Sequence, residues 1–233
     1  MTQQVLVVDD DLAECELLQR ALHSADMQVL ILTESRQANG ILNTHTFDAI
    51  FVDVHMPPPD GLEITRQIRA SDPNKATPII MITGYQDPSI MARGFQAGIT
   101  FFLYKPIVKD RLLNLVRLTH SVNRVEKRRF HRVQVRRNVK MKIDQDFLEG
   151  DTIDVSLNGV CVRTSKTFAL GSPVKMSMEL FPGQNPLTVS GLVARQAGQD
   201  SMGIHFNAIG IRESTQLQDF LLPLMIAPDG TAR

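Results

Sequence analysis

Five short apolar runs, alternating with five segments of helical period, constrain the first half of this chain more than any other feature. The runs fall at residues 5–8, 29–32, 49–52, 79–82 and 101–104. Each is nearly continuous in apolar character, as a strand covered on both faces requires. Residues 12–22, 36–42, 62–70, 88–97 and 108–125 carry the helical spacing; in the first of them Leu17, Leu18, Ala21 and Leu22 mark an apolar face. Five β–α repeats predict an α/β fold over residues 1–120, a doubly wound parallel sheet with helices on both sides. Such sheets bind ligands beyond the carboxyl ends of their strands, so the polar residues at those ends are the first candidates for function.

The pattern changes in the second half. From about Val139, short alternating runs are punctuated by Gly150, Asn158-Gly159, Gly171, Pro182-Gly183 and Ala197-Gly198. Alternation is plain in Val160, Val162, Thr164 and in Val174, Met176, Met178, Leu180. This predicts an all-β unit, a small antiparallel barrel or sandwich. Residues 211–225 then read as one closing helix, with Leu217, Phe220, Leu221 and Leu224 on its apolar side.

Between the halves lies a charge asymmetry that the whole-chain sum hides. The 233 residues carry 25 basic and 25 acidic side chains, for a net charge of zero. Residues 124–142 hold nine Lys or Arg against Glu126 alone, or +8, so the remainder is −8. A block of this density is a solvated face, a linker or an anion-binding surface. No Gly or Pro interrupts residues 108–148, so the fifth helix is expected either to run on as a stiff connector, or self-pairing helix, to Val125, or to fray near His120. The two cysteines, Cys15 and Cys161, form no cluster with each other or with histidine, which argues against a disulfide framework or a zinc site. No basic leader precedes the first strand and no apolar run is long enough to span a bilayer, so a soluble, cytoplasmic chain is expected.

Asp9 and Asp10 close the first predicted strand and Asp53 the third, which a parallel sheet brings to one edge. Three carboxylates held together call for a hard divalent cation, of which Mg²⁺ fits best. Thr83 and Lys105-Pro106 end the fourth and fifth strands, adding a hydroxyl and an ammonium. That set suits phosphoryl transfer to a carboxylate, with Asp53 as nucleophile, Lys105 neutralising phosphoryl oxygens and Thr83 donating a hydrogen bond. Together with the stretch Asp53-Val54-His55-Met56-Pro57-Pro58-Pro59-Asp60-Gly61, these residues resemble the receiver (CheY-like) domain of two-component response regulators. The resemblance implies Asp53 as phospho-acceptor, Asp9, Asp10 and Asp53 around Mg²⁺, and a cognate histidine kinase as donor. The sequence departs from the family at its three consecutive prolines and at Tyr104. It departs also at Phe102, which lacks the phenolic hydroxyl often found at the aromatic switch position.

In the basic block, Arg128 and Arg132 stand four apart, and Asp154-Val155-Ser156-Leu157-Asn158-Gly159 follows about twenty residues later. Guanidinium forks fit phosphate and the guanine O6/N7 edge, an aspartate accepts from guanine N–H groups, and glycine admits a ligand to the backbone. With Gly203-Ile204-His205-Phe206, these positions resemble the PilZ domain, whose signatures are Arg-x-x-x-Arg and Asp/Asn-x-Ser-x-x-Gly. The resemblance implies cyclic di-GMP as ligand, held by Arg128, Arg132, Asp154, Ser156 and Gly159. Arg129 adds auxiliary charge, and Arg163 could reach the ligand or form an exposed ion pair.

The expected organisation is a receiver at 1–120, a helical connector at 121–127, a barrel at 128–227 and a tail at 228–233. The favoured reading is a signalling switch, not an enzyme, acting on a downstream protein target in motility, biofilm or polysaccharide control. Two others stay open: a response regulator using the basic connector against nucleic acid, and an adaptor with a ligand-free barrel. A homodimer through the helix 108–125 is a further expectation.

Overall fold

The computed structural model describes residues 3–84, 88–121 and 132–226, and the chain divides into two compact units. The N-terminal elements are β1 (Gln4–Val8), α1 (Leu12–His23), β2 (Gln28–Leu32), α2 (Ala38–Thr44), β3 (Ala49–Asp53), α3 (Gly61–Ala70), β4 (Ile79–Thr83), α4 (Pro88–Ala97), β5 (Phe101–Tyr104) and α5 (Lys109–Ser121). The strands are parallel in the order β2-β1-β3-β4-β5. β3 and β4 are buried along their whole length, which is why they read as unbroken apolar runs. β2 lies at the edge and leaves Leu30 exposed.

Helix α1 buries Cys15, Leu18 and Leu22 against the sheet. Leu17, expected on that face, is instead 57% exposed. Adjacent helical residues lie about 100° apart, and the stripe of Cys15, Leu18 and Leu22 turns Leu17 to its solvent side. Asp11 starts the helix by accepting from the N–H groups of Ala13 and Glu14. α3 begins with a reciprocal cap: the Asp60 side chain accepts from the Glu63 N–H, and the Glu63 side chain from the Asp60 N–H. A Cβ on Gly61 would lie 2.1 Å from the Asp53 carbonyl oxygen. Only glycine lets α3 start against the backbone of the residue closing β3, so the Asp60-Gly61 pair fixes the loop after Asp53.

The second fold comprises β6 (Val133–Gln134), β7 (Asn138–Ile143), β8 (Asp146–Ser156), β9 (Gly159–Thr164), β10 (Pro173–Met178), β11 (Leu187–Gln196), β12 (Ser201–Ala208) and α6 (Ile211–Ile226). The sheet order is β6-β8-β7-β10-β11-β12-β9, and β9 returns to pair with β8. Six antiparallel strands thus close a barrel and leave no long open edge. β6 adds two residues to the distal half of β8. Val139, Met141, Val160, Val162, Val174, Met176, Met202 and Ile204 fill the interior. α6 packs on β6 and β11, burying Leu217, Phe220 and Leu221. The continuation of α5 to Val125, the connector to residue 127 and the tail 228–233 lie outside the described residues. No helix among the described residues is long and apolar enough to cross a membrane.

Candidate functional site

Parallel strands deliver their carboxyl ends to one edge. Asp9 follows β1, Asp53 closes β3, Thr83 closes β4 and Lys105 follows β5. Asp9, Asp53 and Thr83 are at most 5% exposed, whereas Asp10 faces solvent. Carboxylate oxygens of Asp9, Asp10 and Asp53 lie within 4.8 Å of one another. An octahedral Mg²⁺ with bonds of about 2.1 Å sets opposite ligands about 4.2 Å apart, so a small closing of this cluster suits it.

The Lys105 ammonium stands 3.0 Å from Asp53 Oδ1, 3.4 Å from Asp9 Oδ2 and 3.9 Å from Glu14 Oε2. Asp53 Oδ2 accepts the His55 N–H at 2.6 Å, and Asp9 Oδ1 accepts the Asp11 N–H at 2.9 Å. Burial would lower the Lys105 pKa, yet the hydrogen bond and charge of Asp53, with Asp9 and Glu14, raise it above its usual value. Asp9 is pushed up to about 6, chiefly by burial and further by Asp53, against the Asp11 N–H and Lys105. One ammonium does not neutralise these acids, and the surplus of negative charge is what a hard cation offsets. Burial, then the nearby acids, raises the Cys15 thiol to about 12; its Sγ donates to the Asp9 carbonyl, a supporting contact. Phe102 is fully buried, edge-on to Phe95 at 5.3 Å and stacked on Tyr104 at 6.2 Å.

On the barrel, Arg132 Nη1 pairs with Asp154 Oδ1. Arg128 and Arg129 lie outside the described residues. The Ser156 hydroxyl is buried, 2.9 Å from both Asn158 Oδ1 and the Gly159 carbonyl oxygen, where it closes the β8–β9 turn. A Cβ on Gly159 would lie 2.4 Å from the Ile204 carbonyl oxygen, so the close approach of β12 accounts for this glycine. Arg163 forms an exposed pair with Asp200 at 3.3 Å.

One basic residue escaped the sequence reading. Cross-strand register sets Asp154 opposite Cys161, Cys161 opposite Gly203, and Gly203 opposite Arg195. Val155, Val160, Val162, Met202 and Ile204 point inward, so this row faces outward. The Arg195 side chain lies over Gly203, and its charge offsets part of the rise that burial, then Asp154, gives the Cys161 thiol. The result is a strip of small residues, Cys161 and Gly203, buried on the barrel wall, with Arg195 lying over it and Arg132 at its Asp154 end. Its only trace in the sequence is the spacing of Arg195 before Gly203, which has no meaning until the strands are paired.

Residues 5–117 match the family model of the response regulator receiver domain, and residues 126–222 that of the PilZ domain. The response regulator MprA of Mycolicibacterium vanbaalenii is 35% identical over 117 residues, covering 50% of this chain and 50% of that protein. The C4-dicarboxylate transport transcriptional regulatory protein DctD of Pseudomonas aeruginosa is 33% identical over 122 residues, 52% of this chain and 26% of that protein. A solved structure from Chloroflexus aurantiacus, described as a response regulator, shares 29% identity with a TM-score of 0.50, covering 52% of this chain and all of that one. This chain spans half or less of the length of these curated relatives. From the acid-and-lysine edge of a parallel sheet to the arginine-flanked face of a closed barrel, the chain belongs to the two-component response regulators and joins a receiver domain to a PilZ domain.

Proposed function

We propose that this response regulator is a two-input switch: Asp53 takes a phosphoryl group from a histidine kinase, and the barrel binds cyclic di-GMP. A downstream protein reads the outcome, and no metabolic reaction is assigned to the chain. The observation that carries the reading is the Arg132–Asp154 pair, in register on the barrel wall with Cys161, Gly203 and Arg195. Arg132, Arg195 and Asp154 there supply phosphate and guanine contacts.

In the receiver, an Asp53 oxygen attacks phosphorus, the bond to the donor's nitrogen breaks, and the imidazole leaves. The Asp53 carboxylate is oriented by the His55 N–H, and Lys105 stands ready for phosphoryl oxygens. Asp9, Asp10 and Asp53 would hold Mg²⁺, which when bound offsets the incoming negative charge.

Asp9 gives that ion a pH signature. Folding raises its pKa from 3.8 to about 6, so its contribution to the ion-free fold is complete below pH 4 and lost as pH rises through 6. Mg²⁺ needs the carboxylate ionised. Calorimetric titration is therefore expected to show Mg²⁺ affinity level above pH 7 and falling about tenfold per unit below 6, with proton release on binding. A pH-independent affinity between 5 and 7 would take Asp9 out of the ion site.

The nucleic-acid reading is weakened by how the basic segment is used. Arg132, Arg136 and Lys140 pair with Asp154, Asp151 and Glu149, and Arg137 stacks on Phe220 at 5.1 Å. The deciding experiment is calorimetric titration of cyclic di-GMP into the full chain, with and without beryllofluoride as a phosphoryl mimic. Saturable heat is the expected result, with an affinity shifted by beryllofluoride if the two inputs are coupled. No heat in either state would leave the barrel as a protein-docking adaptor.

A further inference from the structure

Only two residues of β6, Val133 and Gln134, pair with β8 next to Arg132, opposite Val155 and Asp154. A two-residue strand is marginal by itself, so something must hold the arm that carries Arg132. Pairing resumes at Asn138 opposite Asp151. Three residues of the arm, Val135 to Arg137, therefore face only two of β8, Thr152 and Ile153. An extra residue on one side takes backbone groups out of the ladder.

Thr152 fills that gap. Its hydroxyl donates to the Val135 carbonyl oxygen and accepts the Arg137 N–H at 2.8 Å, while its own N–H donates to the Arg137 carbonyl oxygen at 2.9 Å. One side chain thus satisfies both flanks of Arg136, and it is 3% exposed. Val135 and Arg137 are half-buried, and backbone groups screened from water without a partner are costly, so the hydroxyl stabilises this bulge. The far end of the arm has its own hold, with the Arg137 guanidinium against Phe220 and its Nε on the Leu180 carbonyl at 3.4 Å. The near end, which carries Arg132, has Thr152 and the two β6 pairs.

We infer that Thr152 is a positioning residue for the nucleotide site: it clamps the bulged arm to β8 so that Arg132 meets Asp154 before any ligand arrives. The inference rests on the cyclic di-GMP reading but makes a claim of its own in the free protein. Ordering an arginine-bearing arm costs binding free energy, and a clamp formed on folding removes that cost from the binding step.

The test is Thr152→Val, which keeps the branched shape and removes the hydroxyl, beside Thr152→Ser, which keeps the hydroxyl. Calorimetry on the full chain should show cyclic di-GMP affinity about tenfold weaker in Thr152→Val, the worth of two modest hydrogen bonds, and near wild type in Thr152→Ser. Amide exchange in the free chain should speed up at Val133 and Gln134 in Thr152→Val and stay unchanged along β10, on the other side of β7. Wild-type affinity in Thr152→Val would overturn the clamp, as would exchange rising equally in β10, which would signal a general loss of stability. If wild type itself binds no cyclic di-GMP, the functional reading fails, and the exchange pattern still tests the clamp.

Discussion

An Asp53→Asn chain will take up no phosphoryl group from acetyl phosphate and Mg²⁺, where the wild type gains about 80 Da by mass spectrometry. In the wild type an Asp53 oxygen attacks phosphorus, the bond to the acetyl oxygen breaks, and acetate leaves. The amide has nearly the same shape but no anionic oxygen to attack with. It also removes the negative charge that faces Lys105 at 3.0 Å. The loss is expected to be complete, because the neighbouring acids are poor substitutes. Asp9 has one oxygen on the Asp11 N–H and the other facing Lys105, and its raised pKa keeps part of it protonated near pH 6. Asp10 is out in solvent, whereas the ammonium that must meet the phosphoryl oxygens sits against Asp53, Asp9 and Glu14. The fold should survive, since the Gly61 approach that shapes the loop uses the Asp53 backbone oxygen and not its side chain. Undiminished uptake by the variant would move the acceptor elsewhere and sink the Asp53 assignment.

The receiver edge was legible in the sequence for a geometric reason. Parallel strands all end on one side, so strand-end residues such as Asp53, Thr83 and Lys105 converge whatever the helices do. Glu14 was not legible, because its approach to Lys105 depends on where the Asp11 cap sets the first turn of α1. Leu17 failed for a related reason, since an apolar residue beside an apolar stripe looks the same in sequence as one within it.

The barrel was legible as a class but not in its details, because antiparallel function depends on register. The Asp154-to-Gly159 motif was visible, yet the sequence could not say that Ser156 closes a turn or that Gly159 makes room for β12. Arg195 joins Asp154 only through three successive strand pairings, the last beside a register shift at Val193 and Arg195. Thr152 needed the mismatch of three residues against two, which no local pattern announces.

Arg132→Ala should weaken cyclic di-GMP binding by at least about a hundredfold, the second-largest effect expected in this chain. A guanidinium contact to phosphate or guanine is charge-assisted and two-pronged, each such interaction contributing about 1.5–3 kcal/mol, and about 1.4 kcal/mol is a factor of ten. The variant also leaves Asp154 negative and without its cation at the place where the ligand's own phosphates must pass. Loss of a contact and gain of a repulsion act in the same direction, which is why the effect should exceed that of Thr152→Val. Stability should hardly move, because the Arg132 side chain is 37% exposed and partly exposed ion pairs contribute little to folding. Binding and melting therefore separate the two explanations for a dead variant: an unchanged thermal midpoint with binding lost assigns Arg132 to the ligand. Binding that persists within about twofold would sink the nucleotide site at this face. A melting transition lost together with binding would instead make the pair a fold element, and Arg132→Lys, which keeps the charge and removes the fork, would then decide. A lysine variant that folds yet binds as weakly as the alanine variant would show that the planar fork, not the charge, is what the ligand requires.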